Sequence, residues 1–263
     1  MPVLDSMIQK ATAKGMRPYQ EDTSFICTHP HGDLFGVFDG HGGLNCSTYL
    51  SEHFPEAFIT HYEEVYGDAY EDSVDEKEVS FYKFLSKAAM RKAFYQMADE
   101  TKQMRNGSTA SVIWVFRKLN FAVCAVIGDS PIIVGTGKRS YHLGPDHNAR
   151  SNTKEREAAE KRGAFWDGYY LCHSWHGGGL QMSRALGDCS LPFLSRVPQI
   201  YTQKVHDFVL VGTDGILDPG HKSHDMVPGM VKAVREGATA NQIVATALAV
   251  PTGDNATCLI WRP

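Results

Sequence analysis

The sequence predicts an α+β fold in which mostly antiparallel sheets are covered by pairs of helices. Three observations carry that expectation. Short apolar runs rich in Val, Ile and Phe recur along the chain, and two pairs of longer segments have helical spacing. The two kinds do not alternate strictly, as they would around a parallel doubly wound sheet.

Runs at 22–28 and 33–39 read as strands from their length and β-branched content. Helical segments at 44–60 and 80–104 form a first pair. The acidic stretch between them, 63–78, has little apolar material and reads as a solvated loop. Strands return at 108–116 and 121–128. Residues 148–196 are irregular, with one short charged helix at 153–162 and the glycines Gly177, Gly178 and Gly179. A loop-rich region of this length is expected to act as a lid or binding flap. A strand at 207–214, a second helix pair at 225–236 and 239–250, and a last strand at 255–261 complete the order. No Pro/Ser tract divides the chain and no internal repeat is visible, so 1–263 is expected to form a single domain.

The 43% hydrophobic and 21% charged content is that of an ordinary globular protein, and a chain of 263 residues can bury a large core without disulfides. The net charge of −4 and the lack of a basic stripe argue against a nucleic-acid binder. The six cysteines form no CxxC pair and several lie in apolar runs, which favours buried, reduced thiols in an intracellular protein. MPVLDSMIQK has no apolar core of a signal peptide, and no apolar run is long enough to span a bilayer. The expected location is cytoplasmic or nuclear, with no membrane partner and no sign of obligate oligomerisation.

The strongest local signal is FGVFDGHGG, 35–43, where a strand runs into Asp39 and a Gly–His–Gly–Gly turn opens a helix. The glycines permit a tight turn and close approach of a ligand to the backbone, so a carboxylate and an imidazole are displayed at a strand end. The same grammar recurs in FVLVGTDG, which ends on Asp214. Asp254 immediately precedes the last strand, and Glu21 and Asp22 open the first. Carboxylates brought together by one sheet repel, by roughly 4 kcal/mol for a pair about 4 Å apart at an effective dielectric near 20. Such a cluster takes up protons or binds cations. Hard oxygen donors without His or Cys in ligand spacing select Mg²⁺ or Mn²⁺. Arg17, just before Glu21, is suited to bidentate phosphate binding. GTGKRS, 135–140, lacks the first Gly and the hydroxyl residue of a Walker loop, and neither a GxSxG elbow nor a kinase signature set occurs.

Nine motifs in register, GMRPYQED, FGVFDGHGG, NGSTASVIWV, AVIGDS, LGPDHN, GGGLQMSRALGD, PQIY, VLVGTDGILD and GDNATCLIW, make the chain resemble the metal-dependent protein phosphatases of the 2C type from Gly15 to Trp261. The resemblance implies a central antiparallel β-sandwich flanked by two helix pairs, a four-layer arrangement with a binuclear centre at one edge. It implies that Asp39 bridges two Mn²⁺ or Mg²⁺ ions and that the Gly40 carbonyl completes one site. Asp214 and Asp254 would ligate the other ion, and Glu21 and Asp22 would act through coordinated water. Asp146 would share a weaker third ion with Asp214. Arg17 would hold the substrate phosphate, and His41 would protonate the leaving Ser/Thr oxygen of a phosphoprotein. Residues 148–196 correspond to the substrate-contacting flap.

The chain departs from the family pattern at Pro131, where Arg is usual after GDS, at Leu217, where an aromatic is usual, and in KRGAF, where Ala-Gly-Gly is usual. These bear on flap packing and specificity. Two other readings stand beside a protein serine/threonine phosphatase: a pseudophosphatase acting as a scaffold, and a phosphatase of a small metabolite. The complete set of expected carboxylates favours the first over the scaffold.

Overall fold

The computed structural model describes residues 8–66, 76–144, 146–174, 178–217, 226–249 and 253–263. In chain order, strands β1 (Ile8–Ala13), β2 (Thr23–His29), β3 (Gly32–Phe38) and the two-residue β4 (Gly40–His41) precede helices α1 (Asn45–Tyr66) and α2 (Glu76–Thr101). Strands β5 (Gly107–Ser108), β6 (Ala110–Phe116), β7 (Phe121–Ile127), β8 (Ile132–Thr136) and β9 (Arg139–Leu143) lead to helix α3 (Thr153–Lys161). Four short strands follow: β10 (Phe165–Trp166), β11 (Leu171–Cys172), β12 (Gly179–Leu180) and β13 (Leu186–Gly187). Then come β14 (Gln199–Lys204), β15 (Phe208–Gly212), the single turn α4 (Asp214–Leu217), α5 (Val227–Arg235), α6 (Ala240–Leu248) and β16 (Ala256–Trp261).

The long strands make two five-stranded antiparallel sheets, in the orders β14-β7-β6-β3-β2 and β1-β16-β15-β8-β9. Side chains alternate across a strand, so each sheet offers two faces. Leu34 and Phe38 of β3, with Trp114 of β6, pack against Phe54, Phe58 and Tyr62 of α1 and Phe94 of α2. Their neighbours Phe35, Val37 and Ile113 turn the other way and meet Val134, Val211, Leu259 and Trp261 of the second sheet. The far face of that sheet, with Leu210, Cys258 and Ile260, is covered by Met230 and Val234 of α5 and Ile243 of α6. Central strands covered on both faces are buried at every position and mostly apolar, as in β3, β6, β7 and β16. Each fully buried Phe or Leu at these interfaces is worth about 1.5–3 kcal/mol in transfer free energy.

The edge strands differ. IQKATA of β1, RSYHL of β9 and QIYTQK of β14 carry polar residues along a partly exposed edge, and apolar-run reading passes over all three. The acidic stretch expected as a loop is helical at its ends, since α1 runs through Tyr66 and α2 begins at Glu76; residues 67–75 lie outside the described segments. Part of the glycine run, and the start of the helix expected at 225, also lie outside them.

The flap is more ordered than an irregular loop. Helix α3 is capped by the Asn152 side chain, and Ala159, Leu171, Ala185, Phe193 and Leu194 form a separate small core. Glu155 of α3 binds Arg184 at 2.6 Å and Ser183 at 2.6 Å, tying the helix to the segment that leads into β13.

Candidate active site

Strand direction assembles the site. β3 and β7 both run antiparallel to β6, so their C-terminal ends lie on the same side of their sheet. β15 and β16 are antiparallel neighbours, so the end of one lies beside the beginning of the other. Asp39 follows β3, Asp129 follows β7, Asp214 follows β15 and Asp254 precedes β16. These four carboxylates and Glu21 line one cavity of about 280 Å³. Arg17, Gly40, His41 and Gly42 line it too, as do Tyr170, Gln181 and Met182 of the flap.

The loop before β2 is pinned by Asn255. Its side-chain oxygen accepts from the Glu21 N–H at 2.8 Å, and its amide donates to the carbonyls of Lys14 and Tyr19 at 2.8 and 2.9 Å. Glu21 accepts in turn from the Gly43 N–H at 2.7 Å. Asp39 is fixed through its backbone, its N–H donating to Thr109 Oγ1 at 3.1 Å and its carbonyl accepting from the Thr109 N–H at 2.9 Å. Gly40 permits this closeness, because a Cβ there would stand 2.4 Å from the Glu21 carbonyl oxygen and 2.6 Å from Ser47 Oγ.

Burial pushes Asp39 well above the usual carboxylate range, and the charges of Asp214, Asp22, Asp254 and Asp129 push it further. Asp214 is raised by burial and by Asp129, Asp254 and Asp22, with a hydrogen bond to Asp39 acting in the opposite direction. Crowded acids of this kind hold a shared proton or exchange it for a cation. Among the described residues, no three His, Cys, Asp or Glu side chains already stand so as to grip an ion.

Two expected ligands are not in the cavity wall. Asp22 lies buried behind it, accepting from Thr213 Oγ1 at 3.0 Å, with its pKa pushed up to about 7 chiefly by burial. Asp146, expected to share a third ion, accepts instead from the Asn148 N–H at 2.8 Å and from the Ser151 hydroxyl. It follows an edge strand, and its own turn into α3 satisfies its carboxylate. The carboxylate that lines the cavity from this part of the chain is Asp129, held by the Asn148 amide at 3.1 Å. The AVIGDS motif carried the signal, an acid directly after a strand and a glycine.

His41 lines the cavity and its Nε2 lies 2.7 Å from Asp188 Oδ2. Asp188 closes the GGGLQMSRALGD motif, but its pairing with His41 has no sequence signal, since the two are far apart in the chain.

The model of the family described as "Protein phosphatase 2C" matches residues 15–256. "Probable protein phosphatase 2C 69" of Arabidopsis thaliana is 31% identical over 96% of the chain and 68% of its own length. "Probable protein phosphatase 2C 71" of the same plant is 30% identical, and the chain spans only 54% of it. Among solved structures, a serine-threonine phosphatase 2C from Toxoplasma gondii superposes with a TM-score of 0.79 at 22% identity, covering 96% of this chain and 93% of that one. A sex-determining protein of C. elegans superposes with a TM-score of 0.73 at 23% identity, covering 97% of this chain and 64% of that one. The chain belongs to the protein phosphatase 2C family.

Proposed function

We propose that the protein is a metal-dependent protein serine/threonine phosphatase. The observation that carries the reading is the convergence of Glu21, Asp39, Asp129, Asp214 and Asp254, from the strand ends of two sheets, on one cavity that also holds Arg17 and His41. The donor set fits hard divalent cations, Mg²⁺ or Mn²⁺. Five carboxylates dominate the donors on offer, and the raised Asp39 and Asp214 mark an excess of negative charge that cations relieve. Asp39, Asp214, Asp254 and the Gly40 carbonyl would hold them, with Glu21 and Asp22 acting more remotely and Asp129 taking the part expected of Asp146. Bound cations supply positive charge opposite the phosphate and acidify water.

The chain's own groups do the rest. The Arg17 guanidinium binds the phosphate oxygens through parallel N–H donors. His41 gives a proton to the departing serine or threonine oxygen. The flap residues Tyr170, Gln181 and Met182, which line the same cavity, contact the substrate.

The test is hydrolysis of p-nitrophenyl phosphate and a phosphothreonine peptide by the purified protein, with EDTA, Mg²⁺ or Mn²⁺ added in turn. Release from both that requires a metal is expected. No release under any condition, from protein with a cooperative thermal melt, would replace the enzyme reading with that of a scaffold.

A further inference from the structure

We infer that Asp188 is a positioning residue for His41, fixing the orientation and tautomer in which the imidazole serves the leaving group. The inference rests on the reading of His41 as a general acid. Its geometric basis is a small antiparallel sheet, separate from the two large ones, in the order β13-β5-β4. His41 is the last residue of β4, opposite Gly107, and Gly107 is in turn opposite Gly187, the last residue of β13. Asp188 follows directly, so the sheet carries its carboxylate across Gly107 to the imidazole. Gly107 has to be glycine for this, because a Cβ would stand 2.0 Å from Asp188 Oδ2 and 2.6 Å from His41 Nε2.

The backbone is committed to the arrangement. Asp188 has φ of 51° and Gly187 of 77°, both in the left-handed region. The Asp188 N–H donates to the Asn106 carbonyl at 3.1 Å, and the Gly187 carbonyl accepts from Arg196 Nη2 at 2.7 Å. A non-glycine residue held at positive φ is uncommon, and such conformations collect at functional sites. Asp188 is only 5% exposed, so its carboxylate is largely withheld from water.

A carboxylate only accepts, so the bond of 2.7 Å places the ring hydrogen on Nε2. Among the described residues Nδ1 has no hydrogen-bond partner, and it is shielded from solvent. A sealed nitrogen cannot reach a ligand, so the Nε2 edge is the one that serves the leaving group, and the bond to Asp188 holds the ring in that orientation. In the step, water adds to phosphorus and the P–O bond to the side-chain oxygen breaks. That oxygen keeps the bonding pair and takes a proton from Nε2 of the imidazolium, the water's hydrogens leave on the phosphate, and Asp188 neither gains nor loses one.

Two measurements test this. The first is the ¹⁵N spectrum of His41 in the metal-free protein at a pH where the ring is neutral. A single Nε2–H tautomer is expected in the wild type, and a mixed or reversed population in Asp188→Ala. A wild-type ring protonated on Nδ1 would overturn the inference. The second compares turnover of phosphothreonine peptide and p-nitrophenyl phosphate, whose leaving group needs no acid. General acids contribute about 10²–10⁴-fold. The ratio of peptide to aryl turnover is expected to fall by at least about tenfold in His41→Ala and in Asp188→Ala, and the double variant to be no worse than His41→Ala alone. Asp188→Asn, whose amide side chain tolerates positive φ, serves as the variant that folds if the alanine does not. Additive losses, or an unchanged ratio in both Asp188 variants while His41→Ala loses it, would overturn the inference and leave the general-acid reading standing. An unchanged ratio in His41→Ala would remove that reading, and the inference with it.

Discussion

Arg17 Nη2 lies 2.8 Å from Asp254 Oδ2, and Arg17 Nε donates to the neighbouring Gly253 carbonyl at 2.7 Å. The guanidinium is thus held at the rim of the cavity by the segment that also presents an expected metal carboxylate. Half of the Arg17 side chain stays in water (48% exposed), so its charge is available to a ligand. Arg17→Ala is expected to lower kcat/KM by about ten- to a hundredfold, the range for a charged hydrogen-bonding group worth about 1.5–3 kcal/mol. Arg17→Lys recovers little of it, because an ammonium cannot form the two-pronged contact. Steady-state kinetics on a phosphopeptide measure both, and equal rescue by lysine would show that only charge matters.

Asp39 and Asp146 separate a central role from a peripheral one. Asp39→Asn is expected to abolish turnover to the limit of detection, Asp129→Asn to weaken it, and Asp146→Ala to change it less than about threefold while removing a turn contact. A large loss in Asp146→Ala with retained turnover in Asp129→Asn would reverse the assignment made from the cavity wall.

The buried acids make stability depend on pH in a definite direction. Burial pushes the Asp22 carboxyl from its ordinary 3.8 up to about 7, so the folded state holds its proton more tightly. That contribution is complete below the lower value and is lost as pH rises through about 7. Asp39 and Asp214 are raised as well and act in the same sense. With EDTA present, Tm is expected to fall between about pH 5 and about pH 8, and Asp22→Asn to flatten the fall. A wild-type Tm that climbs over this interval would show the acids to be ionised in the folded state.

The Glu155–Arg184 pair supports the flap from within. Its side chains are 10% and 16% exposed. Glu155→Ala strands the guanidinium and is expected to cost about 3–5 kcal/mol. Hydrogen exchange should rise in α3 and around β13 before it rises in the two large sheets. Uniform loss of protection would mean that the flap does not open separately.

How much of this was legible in the sequence follows from where each residue sits. Central strands such as β3 and β6 are mostly apolar because both faces are covered, so they announce themselves as apolar runs. β1, β9 and β14 were not legible, since an edge strand is specified by register against its neighbour as much as by its own polarity. β8 was hidden by its shortness and by Gly135, and GTGKRS proves to span the turn between β8 and β9. Asp39, Asp214 and Asp254 could be read because each adjoins a long apolar run. Asp129 satisfied the same rule but resembled an ordinary turn former. Asp188 stood at the end of the GGGLQMSRALGD motif, but its role was invisible because its partner, His41, is 147 residues away.

The carboxylates come from two sheets, and the apolar layer between those sheets therefore sets the distances on which the chemistry depends. Phe35 and Val37 stand just before Asp39, Val211 just before Asp214, and Leu259 lies on the strand that Asp254 opens. A slip of one residue along a strand displaces its end by about 3.3 Å, more than a whole metal–oxygen bond. The greasy interior acts as a calliper for the acidic edge. Trimming Val37 or Val211 should weaken cation affinity at a temperature where the chain is still fully folded, so that activity reports a loosening of the core earlier than melting does.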